Sequence, residues 1–183
     1  MTHESLFTRL PYRARQLFFT LFSRYQNEQI SFARKYLNIT ELALFDRLPK
    51  FEKKHAVRAA KAALRLAHGK SNIDERRLAK ICLLHDIGKA ATRLWVLDKV
   101  MLVILRRYFK RLYDYLSKKG EHEKALSIFR KFYVYKHHGE IGAAMLKRAG
   151  VPADIAEIVS RHTQDPHPGE PVDLQILRQA DAA

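Results

Sequence analysis

The chain has 183 residues, of which 47% are hydrophobic and 29% charged, and this composition is typical of one globular domain with an apolar core. With only 7 Gly, 6 Pro and few β-branched runs, an all-α fold is favoured. The single cysteine, Cys82, excludes an intramolecular disulfide framework, and its apolar neighbours predict a buried, unreactive thiol. The most apolar run, residues 100–105, is far shorter than the roughly 20 residues of a membrane span. No signal peptide is recognisable, and we expect a cytoplasmic protein.

The net charge of +15 is spread unevenly along the chain. Residues 93–136 carry many Lys and Arg against four acids, whereas acids outnumber bases in residues 151–183. Such a basic segment attracts anions, so nucleotides, nucleic acid and an anionic membrane surface are the expected partners. A solvated basic face without any partner explains the same pattern, and composition leaves these alternatives open.

The first third of the chain is predicted to be helical. Apolar residues at helical spacing predict helices over residues 12–25, 29–37, 41–48 and 50–68. Thr40 is the expected N-cap of the third of these helices, and Pro49 ends it. Gly69 is the natural residue to follow the fourth helix.

The remainder of the chain shows further helical patterns and no convincing strand. Asp74 and Glu75 suit the first turn of a helix that runs to residue 84. A long apolar and basic segment follows at residues 94–116, and residues 118–120 mark a turn. The last predicted helices are residues 124–135, 140–149, 153–162 and, capped by Asp173, 174–182. The pattern predicts one all-α domain with about eight to ten helices.

The most informative motif is His-Asp-Ile-Gly-Lys at residues 85–89, directly after an apolar helical run. An imidazole and a carboxylate bind the same transition metals, and the two oxygens of Asp86 are able to bridge two ions. Lys89, four residues after His85, is a candidate to bind a substrate phosphate, as is Arg58, one turn after His55. Further candidate metal ligands are spread along the chain: His55, His138, His162 and Asp181.

These motifs resemble the HD-domain phosphohydrolase superfamily in its HDIG-type branch. "HDIGK" at residues 85–89 is that branch's signature, and "HGEIGA" at 138–143 with "GVPADIAEIVSRH" at 150–162 is similar to its later segments. "LRQADAA" at 177–183 resembles its closing segment. The resemblance predicts an HD-type phosphohydrolase domain at residues 50–183, preceded by an N-terminal helical extension at residues 1–49.

The resemblance implies a helical bundle with a metal site at its centre. By position, one metal would be held by His55, His85, Asp86 and Asp181. His138 and His162 would hold a second metal, with Asp86 bridging, and Asp86 and Lys89 would be catalytic. Members with all six ligands commonly use iron or manganese, and zinc, cobalt or nickel accept the same donors. We therefore expect two divalent transition metals.

The chain also departs from the family pattern. Thr163 stands where a second His is frequent, and Gly139 stands where Pro is common. The interval between Lys89 and His138 is longer than in compact members, and it contains the apolar and basic segment. No "GYP" motif follows, so a cyclic-di-GMP phosphodiesterase of the HD-GYP kind is not supported.

Three functions compete at this point. The first is hydrolysis of a phosphomonoester or phosphodiester, on a nucleotide or similar phosphate ester, through a metal-bound hydroxide. The second is a nuclease on single-stranded nucleic acid, with bases stacking on aromatic residues of the basic segment. Those aromatics are Trp95, Tyr108, Tyr113, Tyr115, Phe132 and Tyr133, which also fit the inner faces of two helices. The third is a non-catalytic module that binds metal or an anionic membrane, and any of the three fits an oligomer.

Overall fold

The computed structural model describes residues 27–122 and 124–182, and within these ranges it contains helices and no strand. The predicted helix over residues 12–25 lies outside the described residues. Nine α-helices are described: α1 Asn27–Tyr36, α2 Ile39–Asp46, α3 Lys50–Ala67, α4 Glu75–Leu84, α5 Val96–Tyr108, α6 Lys110–Lys119, α7 Ser127–Arg148, α8 Ala153–Arg161 and α9 Val172–Ala182. A 3₁₀ helix, Ile87–Ala91, joins α4 to the segment before α5. The all-α prediction is confirmed.

Helix caps explain where several elements begin, and the predicted cap at Thr40 was wrong. Asn38, rather than Thr40, is the N-cap of α2: its side chain accepts a hydrogen bond from the backbone N–H of Glu41, and Glu41 reciprocates. The reciprocal pair satisfies two backbone donors, which a cap at Thr40 would leave free. Asp74 caps α4 by accepting from two backbone N–H groups, and Pro49 precedes the first residue of α3.

The middle of the chain differs from the predicted segmentation. The apolar and basic segment 94–116 is divided between α5 and α6 by Phe109, which has non-helical torsions. The predicted helices 124–135 and 140–149 are one element, α7, interrupted only at His137 (φ −105°, ψ 17°). Asp173 lies inside the first turn of α9 instead of capping it, and its carboxylate contacts Arg77 at 3.2 Å.

Two apolar cores hold the helices together. The larger core contains residues of α1 to α4, the second half of α7, α8 and α9, with Phe45, Leu84 and Leu177 fully buried. The smaller core joins α5, α6 and the first half of α7 around Leu102, and Phe51 of α3 completes it. α3 and α7 each contribute residues to both cores. No helix in the described part of the chain is long and apolar enough to cross a bilayer.

Candidate metal centre

All six predicted metal ligands converge on one point of the bundle. His55 comes from the first half of α3, and Asp181 comes from the last turn of α9. His85 and His162 are the C-cap residues of α4 and α8, and His138 follows the interruption in α7. Asp86 lies between α4 and the 3₁₀ helix, and both it and His85 are buried.

The two oxygens of Asp86 face different histidines. Oδ2 lies 3.3 Å from Nε2 of His85 and 3.6 Å from Nε2 of His55. Oδ1 lies 3.0 Å from Nε2 of His138 and 3.7 Å from Nε2 of His162. Asp181 adds its Oδ1 on the first side, 2.7 Å from Nε2 of His55 and 3.4 Å from Nε2 of His85. The side chains therefore form two groups of possible ligands that share the Asp86 carboxylate.

Three of the histidines are oriented by the backbone. In each, Nδ1 lies close to the backbone carbonyl oxygen of the residue three positions earlier, at 2.7 Å for His85, 2.7 Å for His138 and 2.6 Å for His162. A carbonyl only accepts, so each Nδ1 carries a proton and donates it, and Nε2 of the neutral ring is left with its lone pair.

In the neutral rings, this tautomer directs the Nε2 lone pairs at carboxylate oxygens, so either a metal ion or a proton has to lie between them. Lone pairs of Nε2 that face a carboxylate oxygen repel it unless a positive charge lies between them. Nε2 of His85 is buried and has no hydrogen-bond partner among the described residues. The donor set of imidazole nitrogens and carboxylate oxygens fits divalent transition metals.

His55 is held in a different way from the other three. Its Nδ1 lies 3.4 Å from Nη2 of Arg58, and a guanidinium only donates. The proton of a neutral His55 ring is therefore on Nε2, where it faces Asp181. Metal binding through this Nε2 requires that proton to leave.

Burial and charge shift the pKa values of the cluster in opposite directions. Burial alone lowers the pKa of His85, but the Asp86 and Asp181 carboxylates outweigh it and hold the pKa well above its usual range. Burial alone raises the pKa of Asp86, but His85 and Lys89 hold it well below its usual range. At His162 burial prevails and lowers the pKa to about 4. The His162 ring is thus neutral at physiological pH, whereas a metal ion at His85 would have to displace a proton.

Two glycines bring the 3₁₀ helix against α7. A Cβ on Gly88 would lie 2.0 Å from the carbonyl oxygen of His138 and 2.7 Å from the backbone nitrogen of Gly142. Only a residue without a Cβ permits this approach of two backbones. The glycine of the HDIG motif therefore sets the distance between Asp86 and His138.

Sequence reasoning missed a buried carboxylate beside the site. Glu52, one turn before His55 on α3, is fully buried, and its Oε1 lies 2.7 Å from Nζ of Lys99. Its Oε2 lies 3.4 Å from Nζ of Lys89, which also donates to Oδ2 of Asp86 at 2.5 Å. The signal that could have identified Glu52 is its spacing of three residues from His55, which puts both side chains on the same face of α3.

A family model of the HD domain matches residues 53–183. This chain belongs to the HD domain family. No curated protein and no solved structure gives a match. HD domains are all-α and bind divalent metals, in agreement with the helices and the two ligand groups described above.

The centre of this HD domain opens into a cavity of about 380 Å³. Its walls carry the predicted phosphate-binding residues Arg58 and Lys89 together with metal-ligand candidates. They also carry residues that sequence reasoning did not select: Lys99, Val103, Arg106, Tyr135, Gln164 and Arg178. Lys99, Val103 and Arg106 occupy one face of α5 at spacings of four and three, so a helical projection of the basic segment held that signal. Arg178 is committed to structure, since it donates to the carbonyl oxygens of Arg161 and His162 and to Glu170.

Proposed function

We propose that this HD domain is a metal-dependent phosphohydrolase of the HDIG type that cleaves a nucleotide or a similar small phosphate ester. The observation that carries the proposal is the Asp86 carboxylate, each oxygen of which faces a separate group of Nε2 atoms at the floor of a cationic cavity. Both a phosphomonoester and a phosphodiester fit this chemistry.

The ligand groups support two metals. His55, His85, Asp86 and Asp181 would hold the first, and Asp86, His138 and His162 the second, with iron or manganese favoured by the family resemblance. Zinc, cobalt and nickel accept the same donors. Bound metals of this kind supply charge neutralisation at phosphorus and lower the pKa of a coordinated water. The resident protein groups keep Nε2 of three imidazoles available through their carbonyl contacts.

Positive side chains from three elements would bind the phosphate oxygens. Arg58 lies on α3, Lys89 on the 3₁₀ helix and Arg106 on α5, and all three line the cavity. Lys89 is held by Glu52 and Asp86, so it supplies a fixed charge, whereas Arg106 is exposed and able to adapt to the ligand. The cavity volume of about 380 Å³ lies in the range of small-molecule sites, which favours a nucleotide over a polymer.

The decisive measurement is the metal content of protein purified without chelator, beside Asp86→Ala. We expect two equivalents of transition metal per chain, and loss of both metals and hydrolysis in the variant, because Asp86 belongs to both ligand groups. One equivalent would contradict the two-metal proposal. A wild-type protein that neither contains metal nor takes it up on reconstitution would refute the hydrolase and favour a binding module.

A substrate screen then separates a small-molecule phosphatase from a nuclease. Arg106→Ala is expected to raise KM for a mononucleotide, and its neighbour Arg107→Ala, which does not line the cavity, is the matched control. Hydrolysis of oligonucleotides with a steep loss of binding at higher salt, and none of mononucleotides, would establish the nuclease instead.

A further inference from the structure

Helices α5 and α6 expose large apolar side chains to solvent. On α5, Leu97 is 80% exposed, Ile104 46% and Tyr108 69%, and their spacing of seven and four residues puts them on one helix face. On α6, Leu112 and Tyr115 are about as exposed. The opposite sides of both helices are buried in the smaller core through Leu102 and Tyr113. We call the solvent-exposed side, with Leu97, Ile104, Tyr108, Leu112 and Tyr115, the α5–α6 face.

Basic residues accompany this apolar surface. Five basic residues of these two helices form no ion pair with any residue in the described ranges: Arg107, Lys110, Arg111, Lys118 and Lys119. The acids of the same helices are already used: Asp98 pairs with Lys131 and Asp114 with Lys136, each at 2.8 Å. The α5–α6 face therefore combines exposed apolar side chains with a surplus of positive charge.

We propose that the α5–α6 face docks on an anionic membrane surface. Leucine, isoleucine and tyrosine side chains enter the boundary between headgroups and acyl chains, while flanking Lys and Arg bind anionic headgroups. Single apolar residues on a surface need no explanation, but five exposed ones on two successive helices, among basic residues without ion pairs in the described ranges, do.

Two other occupants fit the face less well. Single-stranded nucleic acid stacks on aromatic rings, yet Leu97, Ile104 and Leu112 are aliphatic, and Tyr113 and Phe132 are buried. A second copy of the chain would bring the same basic residues against each other across a two-fold axis, where like charges repel. Charge complementarity thus selects an anionic surface.

The α5–α6 face includes the side of α5 that faces away from the cavity. Lys99, Val103 and Arg106 line the cavity from one side of α5, and Leu97, Ile104 and Tyr108 lie on another side of the same helix. A docked protein would hold the cavity near the membrane. The docking proposal does not depend on hydrolysis, because binding is measured without any substrate.

The test is co-sedimentation of the full chain with vesicles of phosphatidylcholine alone, or of equal parts phosphatidylcholine and phosphatidylglycerol. Binding is expected only to the anionic vesicles. Each basic residue near an anionic surface strengthens partitioning about fivefold, so Arg107→Glu/Arg111→Glu/Lys118→Glu, which also adds three negative charges, is expected to weaken it by at least about 100-fold. Leu97→Ser/Ile104→Ser is expected to weaken it roughly tenfold or more.

Matched controls separate the face from the total charge. Lys70→Glu/Arg76→Glu/Lys147→Glu makes the same change in net charge elsewhere, and Ile39→Ser removes an apolar residue that is 89% exposed on α2. Both controls are expected to bind like wild type. Equal losses in controls and test variants would overturn the proposal, as would binding to neutral vesicles alone. Tighter binding to a labelled oligonucleotide, weakened by the test variants, would assign the face to nucleic acid, and a dimer dissociated by Leu97→Ser/Ile104→Ser would assign it to a second copy.

Discussion

Replacing Glu52 by Gln removes the negative charge between two buried lysines without changing the side-chain shape. In the wild type, Glu52 is 0% exposed and contacts Nζ of Lys99 at 2.7 Å and Nζ of Lys89 at 3.4 Å. After the substitution, Lys99 has no carboxylate partner within the described part of the chain, and Lys89 retains Asp86.

The expected cost follows from the burial of all three groups. Loss of one partner from a buried ion pair costs roughly 3–5 kcal/mol, and the amide oxygen of Gln keeps one acceptor, which points to the lower end. A loss of about 3 kcal/mol lowers Tm by roughly 6–12 °C in a domain of this size. Burial alone raises the pKa of Glu52, but Lys89 and Lys99 outweigh it and lower that pKa. Its stabilisation is therefore complete above its ordinary pKa and is lost as pH falls through the folded value, so wild type and Glu52→Gln converge in acid.

Urea unfolding of the single and double variants measures this coupling. Glu52→Gln/Lys99→Met removes both charges, so its loss of unfolding free energy is expected to be smaller than the sum of the single losses by about 1 kcal/mol or more. Glu157→Gln, whose side chain is 65% exposed, is the control and should stay within about 0.5 kcal/mol of wild type. Strict additivity, or a Glu52→Gln protein as stable as its control, would refute the reasoning.

Two further predictions concern the close approach of the 3₁₀ helix to α7 at Gly88 and the buried thiol of Cys82. Gly88→Ala should lower the stability by at least about 1–3 kcal/mol and weaken metal binding at His138, because its Cβ meets the backbone of α7. Gly69→Ala is the control for backbone strain, because Gly69 has a positive φ and a Cβ there would meet no atom within 4 Å. The metal affinities of the two variants are compared by calorimetric titration, and equal affinities would contradict the steric argument. Burial raises the pKa of the Cys82 thiol, so a thiol reagent at pH 8 should label it only on unfolding. Rapid labelling of the native protein would contradict the burial of this residue.

The sequence was sufficient to predict the features that depend on residues close together in the chain. Helical spacing located α3 to within a residue at its end, and the order of the His and Asp motifs selected the residues that now converge on Asp86. The error at Thr40 was also local: Asn38 stands two residues earlier, and its reciprocal bond with Glu41 makes it the cap. The roles of the six ligands, the division at residue 50 and a cytoplasmic location stay predictions.

Contacts between segments that lie far apart in the sequence could not be predicted from the motifs. Glu52 meets Lys99 across 47 residues, and Arg106 reaches the cavity only because α5 packs through Leu102 into the smaller core. A helical projection places Lys99 and Arg106 on one face of α5, but it does not tell which face of that helix lines the cavity until the helix rotation is known. That rotation puts Arg106 into the cavity and leaves Arg107 outside it.

The positions of the three carbonyl-bound histidines explain how a chain with net charge +15 builds a cation site. His85 and His162 cap the C-termini of α4 and α8, and the interruption at His137 makes a third helix end just before His138. Carbonyl groups at helix C-termini lack intrahelical partners, so those of Cys82, Tyr135 and Val159 are available to orient the rings. The same ends carry the negative pole of each helix dipole. Three such poles and the carboxylates of Asp86 and Asp181 therefore make the centre locally negative, while the surrounding lysines and arginines attract an anionic substrate to the cavity.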